Sequence, residues 1–194
     1  VLYDDDQVFL DLLPAAMRPV AARYLEGFGL TLDDQAQVFH ELRRQHQDHD
    51  RVAIQIAPAN LHWLSDAGLE MAARLHEATG APMHMHLLET PYQRDYAARR
   101  GAGSAVAQID RFGLLGPDLT IGHGVWLDAE DLALSRERGV CLCHNCSSNL
   151  RLKSGTADLN AFLQSGLTVA LGMDEAGIND DRDMLQEMRL ALTL

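Results

Sequence analysis

From Arg51 onward the chain repeats one pattern: a short apolar run, then an amphipathic stretch opened by a helix-capping residue. Residues 52–56 read as a strand. Ser65 then caps a helix running to Thr79, and Gly80 stops it. The next strand is expected over 83–88, followed by helical segments from Tyr92 to about Phe112 with a break near Gly101-Ala102-Gly103. A third strand falls at 119–121, with Asp128 capping a helix to about Arg138. A fourth falls at 140–143, followed by a Ser/Asn loop and a short helix near 159–164. The fifth spans 167–171, and Asp180 or Asp181 caps a helix that runs to the C-terminus. Short buried runs alternating with helices mean an α/β fold of parallel strands joined by helical crossovers. Two architectures satisfy this: a doubly wound open sheet, or part of a (β/α) barrel of the TIM type. Both gather chemistry at the carboxyl ends of the strands. No repeat of the sequence itself accompanies the structural repetition.

Residues 1–50 lack the alternation. Leu10, Leu13, Met17, Val20 and Leu25 recur near helical spacing, interrupted by Pro14 and Pro19. Thr31 or Asp33 caps a second helix ending between His46 and Asp50. His40, His46 and His49 read as solvated histidines on a helix face. The organisation is therefore a helical segment, 1–50, packing on (β/α) units over 51–194. Across the 194 residues, 16 Lys+Arg stand against 28 Asp+Glu, a net charge of -12. Bulk charge of that sign excludes binding to phosphate backbones. No apolar run reaches the ~20 residues of a membrane helix. The acidic start at Asp4-Asp5-Asp6 lacks the basic region of a signal peptide. Three cysteines close no disulfide framework, and a reducing cytoplasm is the expected location. Residue 1 is Val, so the chain reads as the middle or end of a longer polypeptide.

The strand ends carry the chemistry. His84 and His86 are two apart on a strand and share a face, where a pair of imidazoles can bind a transition metal. Glu89 lies just beyond as a proton carrier. His123 is flanked by Gly122 and Gly124, which let other groups approach its ring. Asp174 follows a buried apolar strand, a costly place for a carboxylate unless it is paired or metal-bound. Cys141, Cys143, His144 and Cys146 suggest a structural zinc, but six crowded positions lack the two separated pairs such a site uses. The cysteines are expected as free thiols. Ser147, Ser148 and Asn149 read as loop-shaping hydrogen bonders.

The order of these residues resembles the amidohydrolase superfamily, in the branch of aminohydrolases and chlorohydrolases that includes adenosylhomocysteine deaminase-like and triazine hydrolase-like enzymes. The stretches that match are His86-Leu87-Leu88-Glu89-Thr90, Gly122-His123-Gly124-Val125, His144-Asn145 with Ser148-Asn149-Leu150-Arg151-Leu152 and Gly155, and Leu171-Gly172-Met173-Asp174 through Glu187-Met188-Arg189-Leu190-Ala191. The likeness covers about residues 50–194. It implies the last five strands of an eight-stranded barrel with one divalent metal at its mouth. It implies His86 and Asp174 as metal ligands, Asp174 also as general base, Glu89 as proton shuttle, and His123 as the group that stabilises developing charge. His84 lines the same face, but its position is not a usual ligand of the branch. The departures are specific. The branch's first-strand His-x-His pair does not occur in these residues, nor does its small β-sandwich. Ala59 stands where deaminases of adenosine-like substrates carry a His, which argues against such a substrate. Cys146 replaces a common Pro and Glu175 a common Gly.

The function expected from this is a metal-dependent hydrolase acting on carbon–nitrogen bonds other than peptide bonds. Its substrate is a small heterocyclic molecule, a heteroaromatic or cyclic amidine ring that it deaminates. Zinc suits imidazole and carboxylate ligands best, with iron as the alternative. The competing reading is a non-catalytic partial barrel lacking the first-strand ligands. Five strands cannot close a barrel, so the open sheet is expected to be covered by self-association or by the remainder of a longer chain.

Overall fold

The computed structural model describes residues 2, 4, 15–19, 30–101, 103–175, 178 and 182–194. The expected helix marked by Leu10, Leu13, Val20 and Leu25 lies outside them; Met17 is described and exposed. The chain forms two compact units, Val1–Met83 and His84–Leu194. Among the described residues no helix is long and apolar enough to cross a membrane.

In the first unit α1 (Leu32–His46) starts where Thr31 and Asp34 close a reciprocal capping box. It buries Gln35 and Phe39. His40 and His49 are exposed and His46 half-buried. After a 3-10 turn at Leu61–Trp63, α2 (Asp66–Thr79) is capped by Ser65, whose hydroxyl accepts from the Gly68 N–H, and Gly80 ends it at φ 60°. Leu69, Ala72 and Leu75 form its buried face. The strand expected at 52–56 is a correction. Only Ile56 bridges Met83, and Pro58 bridges Leu2. The Ile56 N–H donates to Pro82 O, and Leu2 exchanges bonds with Ala57 and Ala59. Pro58 and Pro82 have no N–H, so a continuous ladder cannot form through them.

One sheet of four strands is described: β1 (Met83–Leu87), β2 (Leu119–His123), β3 (Cys141–His144) and β4 (Thr168–Leu171), in the order β1-β2-β3-β4. β2 pairs parallel with β3, and β3 with β4, in a register that aligns Ile121, Leu142 and Val169. Sequential order with helical crossovers is the (β/α) arrangement expected, with four strands described in place of five. The crossovers are α3 (Pro91–Arg100) with α4 (Ala105–Arg111), then α5 (Ala129–Arg138), then α6 (Cys146–Arg151) with α7 (Leu159–Ser165). Asp128 caps α5 as expected, and Gly139 and Gly166 end α5 and α7 in the left-handed conformation that glycine adopts without strain. The last helix, α8 (Met184–Thr193), is capped by Asp183, whose carboxylate accepts from the Leu185 N–H. Asp180 and Asp181, the expected caps, lie outside the described residues. The core is built from Met85, Leu87, Ile121 and Leu142 of the strands against Val106, Ile109 and Phe162 of the helices. Each such side chain contributes about 1.5–3 kcal/mol by leaving water.

Candidate active site

The pleat of β1 sends Met83, Met85 and Leu87 into the core and leaves His84 and His86 together on the other face. Their rings lie edge to face with centroids 5.7 Å apart. Burial lowers the pKa of both imidazoles. For His84 the neighbouring His86 and His123 add to the effect while Asp174 opposes it. For His86 the neighbouring His123 adds, while Asp174 and Glu89 oppose. Both rings are therefore neutral near pH 7, with lone pairs free to ligate or accept. Gly122 on β2 makes this crowding possible. A Cβ there would lie 3.1 Å from His86 Cδ2 and 3.3 Å from His84 Nε2, so any side chain would displace the imidazoles.

His123 ends β2 at φ 72°, a strained conformation for a non-glycine residue, and is fully buried. Its ring centroid is 4.7 Å from that of His86. Nε2 stands 3.7 Å from Asp174 Oδ2 and 4.0 Å from Glu89 Oε2, and makes no hydrogen bond among the described residues. Asp174 also sits at positive φ, 67°, beyond the end of β4. Glu89 lies just past β1, where its backbone N–H donates to Gln93 Oε1 at 2.8 Å. The four residues expected to act together thus converge at one end of the sheet.

The Ser/Asn stretch after β3 is a second correction. Residues 146–151 form α6, and the segment does more than shape a loop. The Ser148 hydroxyl donates to Asp174 Oδ2 at 2.6 Å. Asn149 Oδ1 lies 2.8 Å from His123 Nδ1. Just beyond α6, the Ser154 hydroxyl donates to Glu89 Oε1 at 3.0 Å. At the start of α6 the Ser147 N–H donates to Glu187 Oε1 at 2.9 Å, which brings α8 to this end of the sheet. Periodicity missed these contacts because small polar residues favour turns and helix starts equally. A run of them directly after an apolar strand end was the available signal. Cys141, Cys143 and Cys146 are free thiols. Burial raises the pKa of Cys143 and pushes that of Cys146 up to about 12, with the Glu187 charge adding to the latter. His144, at the end of β3, is buried edge-on against Phe162.

Among the described residues His86, Glu89 and His123 form a group able to hold a metal ion, their ligand atoms all within 4.8 Å of one another. Two imidazoles and a carboxylate are a zinc-type donor set. The buried His123 Nε2, facing two carboxylate oxygens and bonded to neither, is the atom that such an ion, or a water held by one, would satisfy. The residues present therefore fit a divalent metal, with Asp174 at the margin of the same group.

Residues 9–194 match the amidohydrolase family. A 5-methylthioadenosine/S-adenosylhomocysteine deaminase of Thermococcus onnurineus is 37% identical over 147 residues, 76% of this chain and 35% of the relative. The enzyme of that name from Bacillus cytotoxicus is 30% identical over 195 residues, 98% of this chain and 45% of the relative. An adenosine deaminase from Xanthomonas campestris, solved with bound zinc, superposes with a TM-score of 0.79 at 29% identity, over 83% of this chain and 37% of that one. The chain spans under half the length of these relatives. From its strand-end residues to its parallel sheet, the chain belongs to the amidohydrolase family.

Proposed function

We propose that this chain forms the carboxyl-terminal part of the active site of a metal-dependent deaminase acting on a heteroaromatic or cyclic amidine ring. The observation that carries this reading is the convergence of two carboxylates on the unbonded Nε2 of a buried histidine, beside the His86 imidazole. His86 and Asp174 are the proposed metal ligands, and zinc, present in the Xanthomonas structure, is the preferred ion over iron. A divalent metal supplies an acidified water as nucleophile near neutral pH.

The protein's residues do the rest. Asp174 accepts the proton of the attacking water, and Ser148 holds its Oδ2. Glu89 gives a proton to the ring nitrogen as the adjacent carbon becomes tetrahedral; as the amine departs it takes the proton that Asp174 accepted, and the hydroxyl proton returns to Glu89. Ser154 holds Glu89 Oε1, so Oε2 is the oxygen turned toward His123 and the reacting group. His123 lies between the two carboxylates, where its Nε2, once it shares the proton that Asp174 takes from the water, stabilises the negative charge that develops beside it.

Adenine nucleosides and their thioether derivatives are the first substrates to test, because the relatives from Thermococcus and Bacillus are named for them. Ala59 had pointed away from that ring type; the identity of these relatives weighs more than one position. The experiment is ammonia release by the zinc-loaded, full-length protein from 5-methylthioadenosine and S-adenosylhomocysteine, then from guanine, pyrimidines, pterins and triazines. Turnover of any of these with stoichiometric metal supports the reading. Tight metal binding with no ammonia from any ring overturns the deaminase assignment, and no metal binding at all favours the non-catalytic partial barrel.

A further inference from the structure

Three buried side chains from one short segment each hold one acid–base group of the site. Ser148, Asn149 and Ser154 are 0%, 1% and 3% exposed. They reach Asp174, His123 and Glu89 respectively. The segment is itself braced. The Ser154 N–H donates to Asn149 O at 2.8 Å, and the Trp126 indole N–H donates to Ser154 O at 2.8 Å. A side-chain network buried this completely has few alternative geometries.

Asn149 has the most specific consequence. An amide oxygen can only accept, so with Asn149 Oδ1 at 2.8 Å the contact is a hydrogen bond when His123 Nδ1 carries the proton. The lone pair of a neutral ring is then on Nε2, the nitrogen that faces Glu89 and Asp174. The opposite proton placement would aim an Nε2–H at two carboxylate oxygens. Such a donor would draw one of them in to about 2.7–2.9 Å. The observed separations of 3.7 Å and 4.0 Å show no such bond and leave room for a further group between three acceptors.

We propose that residues 148–154 are the positioning element of this site, and that Asn149 sets the tautomer of His123 by accepting from Nδ1, which keeps the Nε2 lone pair directed at Glu89 and Asp174. This rests on the functional reading only for the use to which that lone pair is put. The tautomer itself is a property of the resting protein. Asn149 is thus a positioning residue, acting through His123 without touching the reacting atoms.

The test is long-range 1H–15N correlation on the full-length protein, labelled with 15N-histidine and freed of metal by chelation, with His123→Gln to assign the signals. The expected result is His123 protonated at Nδ1, with Nε2 showing the signature of an unprotonated nitrogen. In Asn149→Leu, which removes the acceptor and keeps the volume, His123 shifts mainly to the Nε2–H form. In Asn149→Asp, which keeps an acceptor oxygen, it stays Nδ1–H. Wild-type His123 protonated at Nε2 alone, or an unchanged His123 in folded Asn149→Leu, overturns the proposal. If Asn149→Leu does not fold, the wild-type and Asn149→Asp spectra decide it. Absence of deaminase activity would sink the proposed function without touching this result. An active enzyme whose resting His123 carries its proton on Nε2 would sink this inference alone.

Discussion

The two kinds of turn in this fold are built on opposite terms. Where a helix leads into a strand, the chain turns at Gly80, Gly139 or Gly166, each left-handed, and continues into buried apolar residues such as Ala81, Val140 and Leu167. Where a strand leads into a helix, left-handed positions fall to Leu88, His123 and Asp174, which carry side chains, with Gly124 left-handed beside His123. A non-glycine residue held there costs on the order of 1–2 kcal/mol. The same turns bury polar groups: His123 at the end of β2, His144 at the end of β3 and Asn145 just beyond it. One set of turns closes the fold with the least strain. The other accepts strain and buried polarity, which concentrate where a site is assembled.

Variants on the two sides should separate activity from stability. The largest effect is expected for Glu89→Gln in the zinc-loaded full-length protein. Loss of a positioned acid–base group lowers kcat by about 10²–10⁴-fold, read as initial rates of ammonia release, with thermal stability little changed. A drop under tenfold would remove Glu89 from the proton path. His62 tests the cost of buried polarity alone, since burial pushes it down to about 4. Its folded-state pKa lies below that of the unfolded chain, so the unfolded state takes up the proton first. Stability is fully present above about pH 6.5 and declines as pH falls toward 4, by up to roughly 3 kcal/mol. Urea unfolding at a series of pH values reads the slope, and His62→Phe should flatten it; an unaltered slope would assign the acid sensitivity elsewhere. Gly122→Val pushes on both imidazoles of β1, and isothermal titration should find zinc affinity about 10–100-fold weaker. Equal affinity would show that the two rings relax without loss. The smallest effect is expected for Gly139→Ala on the opposite end. It should lower stability by about 1 kcal/mol in urea unfolding and leave zinc affinity unchanged. A change in affinity there would break the distinction between the two kinds of turn.

Much of the architecture was legible because its signals are local. Ser65 and Asp128 cap helices, Gly80 and Gly139 stop them, and alternation along 83–87 tells which faces of β1 are apolar. The misreadings come from residue types whose preference is shared between states. Residues 52–56 carry the same apolar signature as β1, but whether a run becomes a strand depends on donors elsewhere in the chain, and Pro58 and Pro82 supply none. Ser147, Ser148 and Asn149 suit a loop as well as the first turn of α6. Asp180, Asp181 and Asp183 are equally good caps by type, and α8 begins after the last. For the site, His86, Glu89, His123 and Asp174 stood out because charged or metal-ligating residues at the ends of buried strands are conspicuous. Ser148, Asn149 and Ser154 were hidden by ordinariness. Their roles depend on partners between 26 and 65 residues away, a separation no local pattern reports.

The compactness of the 148–154 segment has a consequence for how the gene tolerates changes of length. Each residue of an α-helix advances the side chains by about 100°. One codon inserted or deleted in α6 ahead of Ser148 would therefore rotate Ser148 and Asn149 away from Asp174 and His123 together, and would shift Ser154 along the chain as well. Three separate supports would be lost in a single event. The stretch at 156–158 has no regular structure; Asp158 caps α7 and Ala157 is buried, but among the described residues no hydrogen bond joins the stretch to Glu89, His123 or Asp174, so a change of length at Thr156 should be tolerated better than one in α6.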